Sequence, residues 1–241
     1  MSQRAAACAR EALDATSPAD IVAWRRSCSG PGAGAWLLAP RSSADALADA
    51  AWRAAVLLRL GELRGIELYG KVLSDTVGGA VGRRHDQIRD LLAEWIKENT
   101  PRAVHTEQVL PEIQKPGTAE RRMDVVTADH QGARLLVDVT VTHAVSANAD
   151  RLARAAKQDG KAAQVEEGAK RDKYGGADGF TPFVFETGGR CGSSALALVR
   201  RLAPIEPRLR SECIGGLWQT LSVALQRHNA TIVADAQAIW P

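Results

Sequence analysis

Residues 121–142 read RRMDVVTADHQGARLLVDVTVT. Two runs rich in β-branched residues, Arg122–Thr127 and Ala133–Thr142, flank a short polar turn at Asp129-His130-Gln131-Gly132. That pattern predicts an antiparallel hairpin. A loop of three or five residues centred on Gln131 would set Asp124 opposite Asp138. Opposed carboxylates repel across a strand pair, and Asp is a poor strand former, yet Asp138 interrupts an otherwise apolar run. Two readings stay open at this point. A divalent cation such as Mg²⁺, which takes one or two carboxylates with water and phosphate oxygens, would offset both costs. Alternatively, the aspartates are solvated, or bridged to Arg121 or Arg122.

Outward from the hairpin, helices and strands alternate. Arg84–Glu98 carries Ile88, Leu91, Leu92, Trp95 and Ile96 on one stripe and predicts a helix. A strand is expected at Ala103–Leu110, followed by a loop with Lys115-Pro116-Gly117. Helices are expected at about Ser146–Lys157 and Lys161–Tyr174, and a strand at Phe180–Glu186 holds all three phenylalanines. Helices at about Ser194–Leu202 and Gly216–His228 finish the chain. The order αβββααβα implies an α/β domain, a small mixed sheet flanked by helices, over residues 81–241. Residues 1–80 read as a helical N-terminal extension. They are alanine-rich, break at Ser29-Gly30-Pro31-Gly32-Ala33-Gly34, resume as a helix at about Ser43–Leu60, and close at Gly78-Gly79.

With 241 residues, 45% hydrophobic and 24% charged, the chain can bury a core without staples. Cys8, Cys28, Cys191 and Cys213 show no paired metal-ligand spacing, so no structural zinc and no disulfide scaffold is expected. No run of eighteen apolar residues occurs, and the N-terminus lacks a signal-peptide core. No membrane association and no secretion are expected. A net charge of +3 permits a polyanionic partner without requiring one.

A metal-dependent nuclease of this layout usually places a lysine two residues after the second acid. That slot holds Thr140. The following helices offer Lys157, Lys161, Lys170 and Lys173. Glu166, Lys170, Lys173 and Tyr174 share one side of the helix, where Glu166 and Lys170 could also form an ordinary surface i,i+4 pair.

Eight blocks in order carry a resemblance: SCSGPGAGAWL (27–37), RLG (59–61), GGAVGRRHDQIRDLL (78–92), RRMDVV (121–126), LLVDVTVTHA (135–144), GKAAQVEEGAKRDKY (160–174), TPFVFETGGR (181–190) and LWQTLSVALQRHNA (217–230). Together they resemble the C-terminal restriction-like endonuclease region of site-specific non-LTR retrotransposon polyproteins, a branch of the PD-(D/E)XK superfamily. The resemblance runs from about residue 21 onward.

It implies a restriction-endonuclease-like fold and a Mg²⁺- or Mn²⁺-dependent cut of DNA, with the element's own RNA as a further partner and a nuclear or otherwise intracellular setting. The family's acids fall on Asp124 and Asp138. Its displaced lysine falls on Lys170, with Lys173 and Tyr174 beside it, and its R-H-D/N signature on Arg84, His85 and Asp86. Glu107 is a further candidate metal ligand. Arg84, Arg122, Tyr174 and Arg190 are candidate nucleic-acid contacts.

The chain departs from the family in two places. Met123 stands where the family has proline, and residues 62–77 lack the Cys and His of a zinc knuckle. No polymerase-type acidic motif is present, as in a detached or decayed tail of such an element. A catalytically dead nucleic-acid-binding remnant is therefore the main alternative, and a resolvase-like enzyme on branched DNA a weaker one. With two repelling carboxylates, Asp138→Ala is expected to abolish cutting and to stabilise the metal-free protein.

Overall fold

The computed structural model describes residues 3–61, 79–174 and 176–239. Gly78 and the segment read as lacking a zinc knuckle lie outside the described residues. In chain order the elements are α1 (Gln3–Thr16), α2 (Ala19–Ser27), α3 (Asp49–Leu60), α4 (Ala80–Asn99), β1 (His105–Val109), β2 (Arg122–Ala128), β3 (Arg134–Thr142), α5 (Ala149–Lys157), α6 (Lys161–Tyr174), β4 (Phe180–Glu186), α7 (Ser193–Leu202) and α8 (Pro207–Ile239). The protein is therefore mixed α/β, with a small sheet flanked by helices.

The sheet has the order β1-β2-β3-β4. The first three strands are antiparallel, and β4 joins β3 in parallel after a crossover through α5 and α6. A parallel neighbour needs such a crossover, because a tight turn can only reverse the chain. The β2–β3 turn is closed by Asp129, whose Oδ1 accepts the backbone N–H groups of Gln131 and Ala133 at 2.9 and 2.8 Å. An aspartate bonding the backbone just ahead of it fixes the turn, and with it the register. Val125 pairs with Val137, and Val126 with Leu136.

One sheet face carries the main core. Val125, Val137, Val139, Phe183 and Phe185 pack against Ile88, Leu92 and Ile96 of α4, Leu198 and Leu202 of α7, and Leu217 and Leu221 of α8. These side chains are essentially fully buried. The apolar stripe read on α4 is thus what seats that helix on the sheet, burial of each such side chain contributing about 1.5–3 kcal/mol. On the other side, Met123 and Leu136 pack with Tyr174 of α6.

The N-terminal segment is packed into this body. Trp24 of α2, Leu58 of α3, Val145 after β3 and Ile232 of α8 form one cluster. The Trp24 indole N–H donates to the Leu58 carbonyl at 2.6 Å. The glycine-rich stretch after α2 lies on the loop that follows β4: Ser27 Oγ accepts the Gly188 N–H at 3.0 Å, and the Ser27 carbonyl accepts the Arg190 N–H at 3.1 Å. No helix among the described residues is long and apolar enough to cross a membrane.

Candidate active site

Asp124 sits where the sheet opens. The β2–β3 ladder ends at Val125↔Val137, one step short of Asp124 opposite Asp138. The β1–β2 ladder skips the same position, running from Thr106↔Val125 to Gln108↔Met123. The residue it skips on β1, Glu107, has φ 54°, the one positive φ of a non-glycine residue among those described. A left-handed residue in a strand breaks local pairing. The freed Val139 N–H is taken by Asp124, whose Oδ2 accepts it at 2.6 Å. A carboxylate thus replaces a backbone carbonyl as the acceptor, and it is bound to β3 by its own chemistry.

Asp124 and Asp138 line one cavity of about 560 Å³ and are themselves buried, at 8% and 4% exposure. Each carboxylate is met by a cation. The Lys170 ammonium of α6 is 2.8 Å from Asp138 Oδ2, and the Thr140 hydroxyl donates to the same oxygen at 3.1 Å. So Lys170 reaches over the sheet edge to Asp138, not along its helix to Glu166. Burial first, then the charge of Asp138, push the pKa of the Tyr174 phenol up. Lys173 lies with its ammonium 4.6 Å from the centre of the Tyr174 ring. Partial burial and the neighbouring Lys170 charge lower its pKa.

On the other side, His85 of α4 places Nε2 3.2 Å from Asp124 Oδ2 and 3.1 Å from the Val139 carbonyl oxygen. Its Nδ1 is 3.3 Å from Asp86 Oδ1. The bond to Asp124 raises the imidazole pKa to about 9 against the opposing effect of burial. At neutral pH the ring is therefore an imidazolium, donating from both nitrogens.

Arg84 also lines the cavity, but it is 1% exposed and its Nη1 donates to Asn229 Oδ1 of α8 at 2.9 Å. Burial lowers its pKa to about 10. A guanidinium so enclosed ties α4 to α8 and is sequestered from a nucleic-acid backbone. Arg122, at the cavity mouth, is exposed and pairs with Glu120 at 2.9 Å.

Two residues named from sequence are elsewhere. The Glu107 carboxylate is held by Arg89 Nη1 at 2.5 Å and does not line the cavity. Its backbone twist, not its carboxylate, is what it contributes beside Asp124. Arg190 is bound to the Arg26 carbonyl at 2.9 Å, to Ser29 Oγ at 2.8 Å and to Asp159 at 3.1 Å.

Three contributors went unseen in the sequence. Thr140 had been read only as a missing lysine. It lies two residues after Asp138, hence on the same strand face, and that spacing was a usable signal. Val139 acts through backbone atoms and has no sequence signature. Thr118, Ala119 and Glu120, which complete the cavity wall, come from an irregular loop.

The donor set suits a hard divalent cation: two carboxylates with a backbone carbonyl beside them, all oxygen. Among the described residues no group of three or more His, Cys, Asp and Glu side chains converges as a metal cage. An Mg²⁺ or Mn²⁺ here would rest on Asp124 and Asp138 and complete its shell with water or substrate oxygens, as Mg²⁺ commonly does. No protein-family model matches the chain, and no curated protein matches it.

Proposed function

We propose that this chain is a Mg²⁺- or Mn²⁺-dependent DNA endonuclease of the retrotransposon restriction-like class, with a PD-(D/E)XK-type core, nicking its target by attack of water on a backbone phosphate. The observation that carries the reading is the Lys170 ammonium 2.8 Å from Asp138, in the cavity that Asp124 also lines. The strand position two residues after Asp138 holds Thr140, and the cation that meets Asp138 comes instead from Lys170 of α6. Asp124 and Asp138 are the residues that would hold the ion; when bound, it would acidify a water and stabilise charge on the phosphate.

The chain's own groups do the rest. Lys170, freed from Asp138, orients the water and offsets charge building on the phosphate oxygens, a task suited to a compact ammonium. Thr140 fixes the Asp138 carboxylate by a hydrogen bond. His85 holds its proton at Nε2 against Asp124. Purified protein should convert supercoiled plasmid to the nicked form with Mg²⁺ and not with EDTA; intact plasmid in both would end the reading.

One observation favours the alternative of a non-cutting DNA-binding remnant. Both carboxylates are already satisfied by His85 and Lys170, so an ion must displace two internal cations. Thermal stabilisation by millimolar Mn²⁺, lost in Asp124→Ala, separates the two readings.

A further inference from the structure

Away from the cavity, four arginines converge on two aspartates. Asp159, in the turn before α6, receives Arg10 Nη2 at 2.5 Å and Arg26 Nη1 at 2.7 Å on one oxygen, and Arg190 Nη2 at 3.1 Å on the other. Asp14 of α1 accepts Arg26 Nη2 on Oδ2 at 3.0 Å, and its other oxygen, buried and without a hydrogen bond, lies 3.1 Å from Arg25 Nη2. The set is positive by two charges, and the Nε atoms of Arg25 and Arg26 are buried with no acceptor. Gly30 leaves the space Arg190 needs: at φ +94°, a Cβ there would meet the guanidinium at 2.7 Å. This is the glycine-rich stretch that stood out in the sequence and that the catalytic cavity does not use.

What fills the cluster is the Asp14 carboxylate of α1. From Cys8 to Thr16, no side chain of α1 is buried. Those residues dock through Arg10 and Asp14. Ion pairs at the surface are individually weak and are screened by salt. Paired guanidiniums around one carboxylate also match the fork geometry that binds phosphate.

We propose that Arg25 and Arg26 form a second phosphate site, which takes a backbone phosphate of duplex DNA when the Asp14 carboxylate leaves it. Asp14 is then a stand-in anion, and α1 competes with DNA for the cluster. The identity of the polyanion rests on the nuclease reading above; the site itself does not depend on cutting.

Binding of a short DNA duplex to the full chain, read by fluorescence anisotropy in EDTA across a KCl series, tests it. Asp14→Asn should tighten binding about fivefold at low salt, the loss of one competing ion pair. R25Q/R26Q should weaken binding and flatten the slope of log affinity against log salt by about 1–2, at roughly 0.9 per phosphate contact. R25K/R26K, which keeps the charge, should retain most of the slope. Wild-type affinity in Asp14→Asn, or a wild-type slope in a folded R25Q/R26Q, overturns the site. A chain that shows these shifts but never nicks plasmid keeps the site and loses the nuclease reading.

Discussion

Asp138 is held by two donors, and this reverses one expectation about it. Read as a bare opposed pair, two carboxylates should repel, and removing one should stabilise the protein. In the structure Lys170 and Thr140 sit on Asp138, and His85 sits on Asp124, so the repulsion is compensated. Asp138→Ala would leave the Lys170 ammonium without its carboxylate in a largely buried place. We expect a loss of about 1–3 kcal/mol in urea unfolding, less than for a fully buried pair because Lys170 keeps some solvent contact. A more stable Asp138→Ala protein would show that the ion pair is not formed in solution. Lys170→Ala separates catalysis from binding. On the proposed chemistry the nicking rate should fall about a hundredfold or more, the effect of losing one transition-state donor. Affinity for DNA should barely move, because one contact is a small part of a multi-phosphate electrostatic sum. An unchanged single-turnover nicking rate would remove Lys170 from the mechanism.

Elements whose signal is local match the sequence reading closely. The spans Lys161–Tyr174 and Phe180–Glu186 are those the periodicity gives. Where a distant partner sets the boundary, the reading drifts. The helix read from Ser43 is two pieces: Ser43–Asp45 forms a 3₁₀ turn and α3 starts at Asp49. The cause is Asp45, whose carboxylate accepts the Thr220 hydroxyl of α8 at 3.0 Å. The α8 helix extends well beyond Gly216–His228, and past His228 it carries Ile232 and Val233, buried in the cluster with Trp24 and Leu58 from the distant N-terminal segment. The start of α7 shows the same non-local dependence. Its N-cap is Gly192, with no side-chain acceptor of its own. Glu167 of α6 supplies one, accepting the Ser194 N–H at 2.9 Å and the Ser193 hydroxyl at 3.1 Å. A Cβ at position 192 would meet Glu167 Oε1 at 2.2 Å, so glycine there makes room for the cap. Glu167→Ala should cost about 1–2 kcal/mol, the loss of a cap on a part-buried N–H. A shift in the urea midpoint below about 0.5 kcal/mol would mean that solvent caps α7 equally well.

At the scale of the molecule, sequence reading anticipated that Asp124, Asp138 and Lys170 come together, but not what joins distant parts of the chain. Hairpin register is local, so Asp124 and Asp138 were legible. The placement of Arg190 beside Arg26 spans 164 residues, and no periodicity encodes it. The same holds for the buried polar chain at the centre. Trp24 of α2 packs on His143, with ring centres 5.7 Å apart. His143 Nδ1 meets Thr187 Oγ1 at 2.5 Å, Asn229 donates to the Thr187 carbonyl at 2.8 Å, and Arg84 donates to Asn229. Burial first, and then the Arg84 charge, lower the His143 pKa to about 3. Between there and the ordinary value near 6.5, the unfolded chain binds a proton that the folded chain refuses. This group's contribution is therefore complete above about pH 6.5 and falls as pH drops toward 3. His228, lowered by burial, acts with the same sign. His85 acts oppositely: with its pKa raised to about 9, its contribution is complete below about pH 6.5 and is lost as pH rises toward 9. Stability in EDTA should therefore peak near neutrality and fall on both sides, each group contributing at most about 1.4 kcal/mol per pH unit. In the window from pH 4.5 to 6.5 the histidines titrate together with Glu186, whose carboxyl pKa burial raises and which acts with the opposite sign, while carboxylates held low by arginines, such as Asp129 and Asp159, respond below it. His143→Gln should flatten the acid limb in that window, and His85→Gln the alkaline one. If the urea midpoint falls between pH 6.5 and 4.5 by the same amount in His143→Gln as in the wild-type protein, His143 is not buried as a neutral ring, and the contact between the N-terminal helices and the sheet is looser than the structure has it.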